Sequence, residues 1–383
     1  MTDIFVSDIV TYPIKSIKGV HLSNSWIDDY GLSFDRRFVV SDLLGKFITA
    51  RSDSKLCLIQ ANITPTGLIL IAPDMPKLEL NYQSFSQRYQ TVTVWSSEIA
   101  AQHCGQQIDK WFSQYLNKPC QLLYFGSDSS RLVKNSTKQV AFADGYPLLL
   151  ASQSSLADLS DKAGQTFSMA QFRPNIEISG AEAFAEDQWL HIRIGEVEFE
   201  VVKPCTRCNF TTIDPKTGEA SSDNEPLATL MKYRRDEEGE VLFGQNMIPL
   251  NQGQINVGDS VEIIRTKATR PTLVPQKKSN EKTTEIEKIA PPSNETSVNI
   301  LFDSWDTYHK GNNQETILEQ GEAAGLILPY SCRGGICGRC KIKVADGQVL
   351  QLKDDALTDQ EKGEGYVLAC SSIPLGNITL VQG

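Results

Sequence analysis

The sequence predicts a mixed, mainly β protein in three parts, and three observations predict it. Short runs of alternating apolar and polar residues, cut by glycine and proline turns, fill residues 1–266. Residues 267–296 (KATRPTLVPQKKSNEKTTEIEKIAPPSNET) then lose all apolar periodicity and read as a flexible linker. A compact segment with a dense cysteine motif, residues 297–383, closes the chain. A chain of 383 residues has room for two or three domains. The expected parts are therefore 1–115, 116–266 and 297–383, with the linker before the last.

The first part carries the runs IFVSDIVTY, RRFVVSD, TGLILIAP and QTVTVW, separated by turn residues such as Gly31, Gly45, Pro65 and Gly67. That spacing predicts a β-barrel or a curled antiparallel sheet. QQIDKWFSQYL puts Ile108, Trp111, Phe112 and Tyr115 on one face of a helix, which is core packing. The second part returns to strands, with helices expected near 152–162 and 225–234 and a last strand in INVGDSVEII. In the third part VNILFD, KIKVADG and NITLV read as strands and ETILEQGEAAGL as a helix. About 87 residues is small for a free-standing core, so an internal staple is expected.

Bulk properties narrow the function. The net charge is −10 and the isoelectric point about 5.1, which excludes a nucleic-acid footprint. No run approaches the ~18 consecutive apolar residues of a transmembrane helix, so no membrane is expected. The N-terminal MTDIFVSDIVTYP has neither the basic nor the apolar region of a secretory signal. Nine cysteines are an odd number, and a motif that needs free thiolates fits a reducing cytoplasm. There is no G-x-G-x-x-G opening a helix and no Walker loop, so no built-in nicotinamide or nucleotide site is expected.

Two cysteine motifs carry chemistry. In KPCTRCNFTTID, at 203–214, a strand-like run delivers Cys205 and Cys208 into a loop. No second Cys-x-x-Cys at zinc-finger spacing accompanies them. His21, His103, His191 and His309 are scattered and read as structural. In LPYSCRGGICGRC, Cys332, Cys337 and Cys340 give C-x4-C-x2-C, and Cys370 follows in VLACSS. That is the plant-type spacing for a [2Fe–2S] cluster, which takes four thiolates. Zinc ribbons favour two Cys-x-x-Cys knuckles instead. Gly334, Gly335 and Gly338 let the loop wrap close and aim N–H groups at sulfur. The segment resembles plant-type ferredoxins over its whole length, which implies a β-grasp fold.

Further motifs stand in order along residues 1–266: YPIKS at 12–16, DRRF at 35–38, ITAR at 48–51, FRPN at 172–175, KPCTRCNFTTIDPKTGE from 203 and LFGQN at 242–246. Together they resemble the MOSC superfamily. Order and spacing are similar to the mitochondrial amidoxime-reducing components and their bacterial relatives of the YcbX type, which also carry the ferredoxin module. The resemblance implies an N-terminal MOSC β-barrel domain, a MOSC β-barrel-like domain with helices, and a molybdenum cofactor of the pyranopterin kind. It puts cofactor contacts on Lys15, Ser16, Arg37, Arg173 and Asn175, and the molybdenum thiolate on Cys208. The family's D-x-x-P loop matches Asp144–Pro147, with Gly145 and Tyr146 where small hydroxylated residues are the pattern.

The function so implied is a reductase of N-hydroxylated compounds: hydroxylamines, amidoximes and N-hydroxylated bases. Its own [2Fe–2S] domain would draw electrons from an external flavoprotein reductase. The alternative is a molybdenum-cofactor carrier or sulfur-transfer protein with a persulfide on Cys205 or Cys208. A carrier has no need of a redox wire.

Overall fold

The computed structural model describes residues 3–274 and 294–383. The greater part of the expected linker, 275–293, lies outside the described residues. The chain divides into two compact units. The first is Met1–Cys205, Phe210–Pro226 and Phe243–Pro271; the second is Thr206–Asn209, Leu227–Leu242 and Thr272–Gly383.

The first unit is mainly β. Its largest sheet has eight strands in the order Val261–Thr266, Trp189–Ile194, Val197–Thr206, Leu242–Pro249, Leu148–Ser152, Ile176–Ser179, Phe5–Thr11 and Val20–Leu22. The first strand of the chain thus pairs antiparallel with Ile176–Ser179, far along the sequence. Val6, Ile9, Leu148, Leu150, Ile176 and Ile178 interlock on the buried side of this sheet. A four-stranded sheet (Phe38–Ser41, Gln121–Tyr124, Ser97–His103, Tyr89–Val94) and a three-stranded one (Gln60–Thr64, Gly67–Ile71, Leu78–Asn81) enclose the second large core.

The helix over 106–116 forms as the spacing predicts. Ile108, Trp111, Phe112 and Tyr115 are buried, and Asn117 ends it at φ +54°. The helix near 152–162 spans Gln153–Ala163, with the Ser152 hydroxyl accepting the Ser154 N–H as its N-cap.

INVGDSVEII is not one strand. Ile255 and Asn256 end a strand paired with Asn24–Asp28, and Val261–Thr266 begins another paired with Trp189–Ile194. The Asp259 carboxylate accepts the Asn256 N–H at 2.8 Å, and Gly258 turns the chain at φ +94°.

The second unit contains a five-stranded mixed sheet in the order Thr307–Asn312, Ser297–Phe302, Ile378–Gln382, Lys341–Asp346 and Tyr366–Leu368. Ser297–Phe302 and Ile378–Gln382 run parallel; the other pairs are antiparallel. The helix Ile317–Ala323 starts in a capping box between Thr316 and Glu319 and buries Ile317 and Leu318 on the core. This is the β-grasp arrangement expected of the module. The helix Leu227–Tyr233 and the turn closed by the Arg235–Val241 bridge belong to the same unit. Among the described residues no helix is long and apolar enough to cross a membrane.

Candidate cofactor sites

In the first unit the YPIKS segment leaves its strand and turns inward. Lys15 is buried, and its Nζ donates to the Phe142 carbonyl at 2.8 Å and the Asp144 carboxylate at 2.6 Å. Burial lowers the Lys15 pKa from its usual value near 10.5 to about 8, and the Asp144 charge opposes that fall. Burial alone would raise the Asp144 carboxyl, but Lys15 and Arg51 win and hold it well below the usual carboxylate range. Asp144 exposes 73 % of its side chain, so solvent screens much of that attraction. The Trp95 indole N–H also donates to Asp144, at 3.2 Å, and Arg51 lies over the Trp95 ring at 4.2 Å.

Beside this group stands a network around Tyr12. Arg36 lies 4.3 Å and Arg173 4.1 Å from the same ring centre. Arg36 donates to Asp35 at 2.7 Å, to the Asn175 side-chain carbonyl at 2.9 Å and to the Arg173 carbonyl at 3.2 Å. Arg173 donates to the Ile17 carbonyl at 2.6 Å and faces Phe210 at 5.3 Å, with no carboxylate in ion-pair range among the described residues. Burial depresses the Arg173 pKa to about 10. Ser16, Arg36 and Arg173 hold left-handed backbone at φ +74°, +44° and +57°. Strain of this kind persists where the surroundings over-determine it, and it gathers at binding sites.

The sequence-based set is only partly brought together here. Arg173 and Asn175 take part in the Tyr12 network, while Lys15 stands in the Asp144 group and Ser16 follows it in the chain, buried. Arg37 turns to another group, donating to Asp28 at 2.6 Å and stacking on Tyr30 at 4.2 Å. Asn175 has every capacity filled. Its amide donates to Val10 and Asp35, and its oxygen accepts from Arg36 and the Leu149 N–H. It holds the framework and has no donor left to offer. Arg36, Arg51, Tyr12 and Asp144 are the residues that sequence reasoning left off the contact set. Arg51 stood in the ITAR motif and Asp144 in the D-x-x-P loop.

In the second unit the four cluster cysteines are buried and free of disulfides. Cys340 Sγ lies 3.2 Å from Cys370 Sγ, and the Gly334 N–H donates to Cys332 Sγ at 3.4 Å. The Cys337 and Cys370 thiols and the Gly334 and Ile336 amides pull the Cys332 thiol down while Cys337 and Cys370 are pushed up, so the four thiols titrate as one interacting set. Gly335 and Gly338, at φ +76° and +74°, make the wrap possible. No three His, Cys, Asp or Glu side chains stand in single-ion geometry among the described residues, so spacing, burial and mutual contact carry the cluster reading. Cys208 is partly buried in the loop of the same unit, as Cys205 is at the end of its strand in the first.

Both groups fit the cofactors implied for them. The thiol set fits a [2Fe–2S] cluster. The buried Lys15 ammonium, and the Arg173 guanidinium with no carboxylate in ion-pair range among the described residues, fit the phosphate of a pterin cofactor in an otherwise acidic chain.

The comparisons agree. Residues 4–119 match the MOSC N-terminal beta barrel domain, 137–262 the MOSC domain and 303–375 the 2Fe-2S iron-sulfur cluster binding domain. Mitochondrial amidoxime-reducing component 1 of Mus musculus is 34% identical over 279 residues, covering 68% of this chain and 82% of that protein. Component 2 of Homo sapiens is 34% identical over 276 residues, covering 67% and 82%. The cofactors are accordingly a molybdenum cofactor and a [2Fe–2S] cluster. The chain belongs to the MOSC-domain family of the amidoxime-reducing components and carries a C-terminal ferredoxin domain.

Proposed function

We propose that this protein is a molybdenum-dependent reductase of N-hydroxylated compounds, drawing electrons through its own [2Fe–2S] domain from an external flavoprotein reductase. The observation that carries the reading is Arg173, a guanidinium held against Tyr12 and Phe210 with no carboxylate partner among the described residues. Such a group needs an anion, and the relatives are amidoxime-reducing components by name.

In this reading Lys15 and Arg173 bind the cofactor phosphate, and Ser16 offers its hydroxyl beside them. Arg36, Asp35 and Asn175 act as positioning residues that hold Arg173 in its strained conformation. Arg37 keeps the assignment of a cofactor contact only if it leaves Asp28. Cys208 supplies the protein thiolate to molybdenum, and Cys332, Cys337, Cys340 and Cys370 hold the iron. The molybdenum cofactor supplies two-electron chemistry at the N–O bond. Two electrons and two protons convert N–OH to N–H and water. Nine cysteines without a disulfide fit a reducing compartment, and the cytoplasm is the proposed one.

The test is reduction of an amidoxime by purified protein with a chemical electron donor. Cys208→Ala is expected to abolish it with iron content unchanged, and Cys205→Ala to retain it. Full activity in Cys208→Ala would overturn the ligand assignment. Substoichiometric molybdenum without turnover in the wild type would favour the carrier alternative.

A further inference from the structure

The glycines of the cluster loop are glycines for different reasons. Gly335 and Gly338 occupy left-handed backbone that other residues rarely adopt. Gly334 does not. A Cβ built there would meet the Asn209 Cβ at 3.2 Å and the Cys332 carbonyl oxygen at 3.8 Å. What glycine provides at 334 is close approach to the loop that carries Cys208.

That approach is fixed by hydrogen bonds within the second unit. The Asn209 N–H donates to the Cys332 carbonyl at 2.8 Å. The Ser331 hydroxyl, one residue before the ligand, donates to Glu240 Oε2 at 3.0 Å. The Arg207 N–H donates to the Val241 carbonyl at 2.7 Å, tying the cysteine loop to the turn that bears Glu240. Three separate stretches, 206–209, 235–241 and 331–334, are knitted at one place.

We infer that this junction is the electron conduit between the two cofactors, with the Cys332 carbonyl and the Asn209 amide as its bridge. On one side the bridge is bonded to a cluster ligand. On the other it is bonded to Cys208, so a short covalent run on each side of one hydrogen bond joins two sulfurs. The inference rests on the reading that Cys208 holds the molybdenum. Each passage takes one electron from the cluster, which is oxidised, and gives it to the molybdenum, which is reduced. Two passages, with two protons from solvent, balance N–OH to N–H and water. The external one-electron donor, of the flavoprotein class, restores the cluster after each.

The experiment uses the full chain with both cofactors. The cluster is reduced, the protein is mixed with an amidoxime, and loss of the cluster's EPR signal is followed by rapid freezing. Gly334→Val, which forces the two loops apart, is expected to lose the fast phase of cluster reoxidation. It should also lose the magnetic broadening between the cluster and molybdenum signals, with iron and molybdenum contents unchanged. Glu240→Ala, which removes the bond to Ser331 and ligates neither metal, is expected to slow the same phase. If Gly334→Val fails to assemble its cluster, Glu240→Ala decides alone. Wild-type reoxidation and wild-type broadening in the assembled variants would overturn the conduit. Failure of the parent reading is distinct: Cys208→Ala would keep its molybdenum signal unchanged, and the conduit would fall with it.

Discussion

Arg36 and Arg37 stand side by side in sequence and do different work. Arg36 binds Asp35, Asn175 and the Arg173 carbonyl; Arg37 binds Asp28. The DRRF motif was legible, but which arginine faces inward depends on where the following strand starts to pair, at Tyr124↔Phe38. Sequence spacing cannot fix that register. Asn175→Ala should show how much the framework matters. It strands donors and acceptors of a buried network and should cost about 3 kcal/mol or more in urea unfolding.

Lys15 titrates within reach of ordinary buffers, at about 8. In its proposed role as a phosphate contact Lys15 loses its charge above that pH, so pterin retained on dialysis should fall between pH 7 and pH 9.5. Lys15→Arg should flatten that profile, because a guanidinium keeps its proton.

Glu177 works the opposite way. Burial, with help from the charge of Asp8 opposite it in the sheet, raises its pKa from near 4.5 to about 7. The fold therefore keeps a proton that the unfolded chain surrenders first as pH climbs. Stability falls between those two values, by up to about 3 kcal/mol. Glu177→Gln should be more stable than wild type at pH 8 and no more stable at pH 4.5, as read from urea midpoints.

At the scale of elements, periodicity served well where an element is long and one-sided. The helix Gln106–Leu116 and the strands of the ferredoxin module follow their apolar spacing. It failed in INVGDSVEII, where a β-turn over Asn256–Asp259, closed by the Asp259 N–H on the Asn256 carbonyl, divides an apolar-looking run between two sheets. It was also silent on Gly311. A Cβ there would come within 1.7 Å of the Gln320 amide oxygen. Gln320 is fully buried and cannot retreat, because its side chain bonds the Asn312 N–H and carbonyl and the Glu315 carbonyl. Gly311→Ala should destabilise the ferredoxin module by about 1–3 kcal/mol, seen as an earlier thermal loss of the cluster's visible absorbance.

At the scale of the whole molecule, the division of labour was readable before any fold. Two cysteine motifs of different spacing, an acidic balance and the lack of a nucleotide loop point to a chain that receives electrons and spends them on a metal. What the sequence did not show is that the cysteine loop at 206–209 falls in the same compact unit as the cluster. That proximity joins residues more than a hundred positions apart, so no local pattern encodes it. Three of the scattered histidines, His21, His103 and His191, pair with the carboxylates of Asp8, Asp109 and Glu198.

The central claim is that one chain holds molybdenum through Cys208 and a [2Fe–2S] cluster through its four C-terminal ligands. The most direct test is metal analysis with EPR on reduced wild type and Cys208→Ala. The wild type should hold iron and molybdenum at about two to one, with a rhombic cluster signal and a molybdenum signal that the substitution alters while the cluster signal stays. A wild type without molybdenum, or a molybdenum signal indifferent to Cys208, would contradict it.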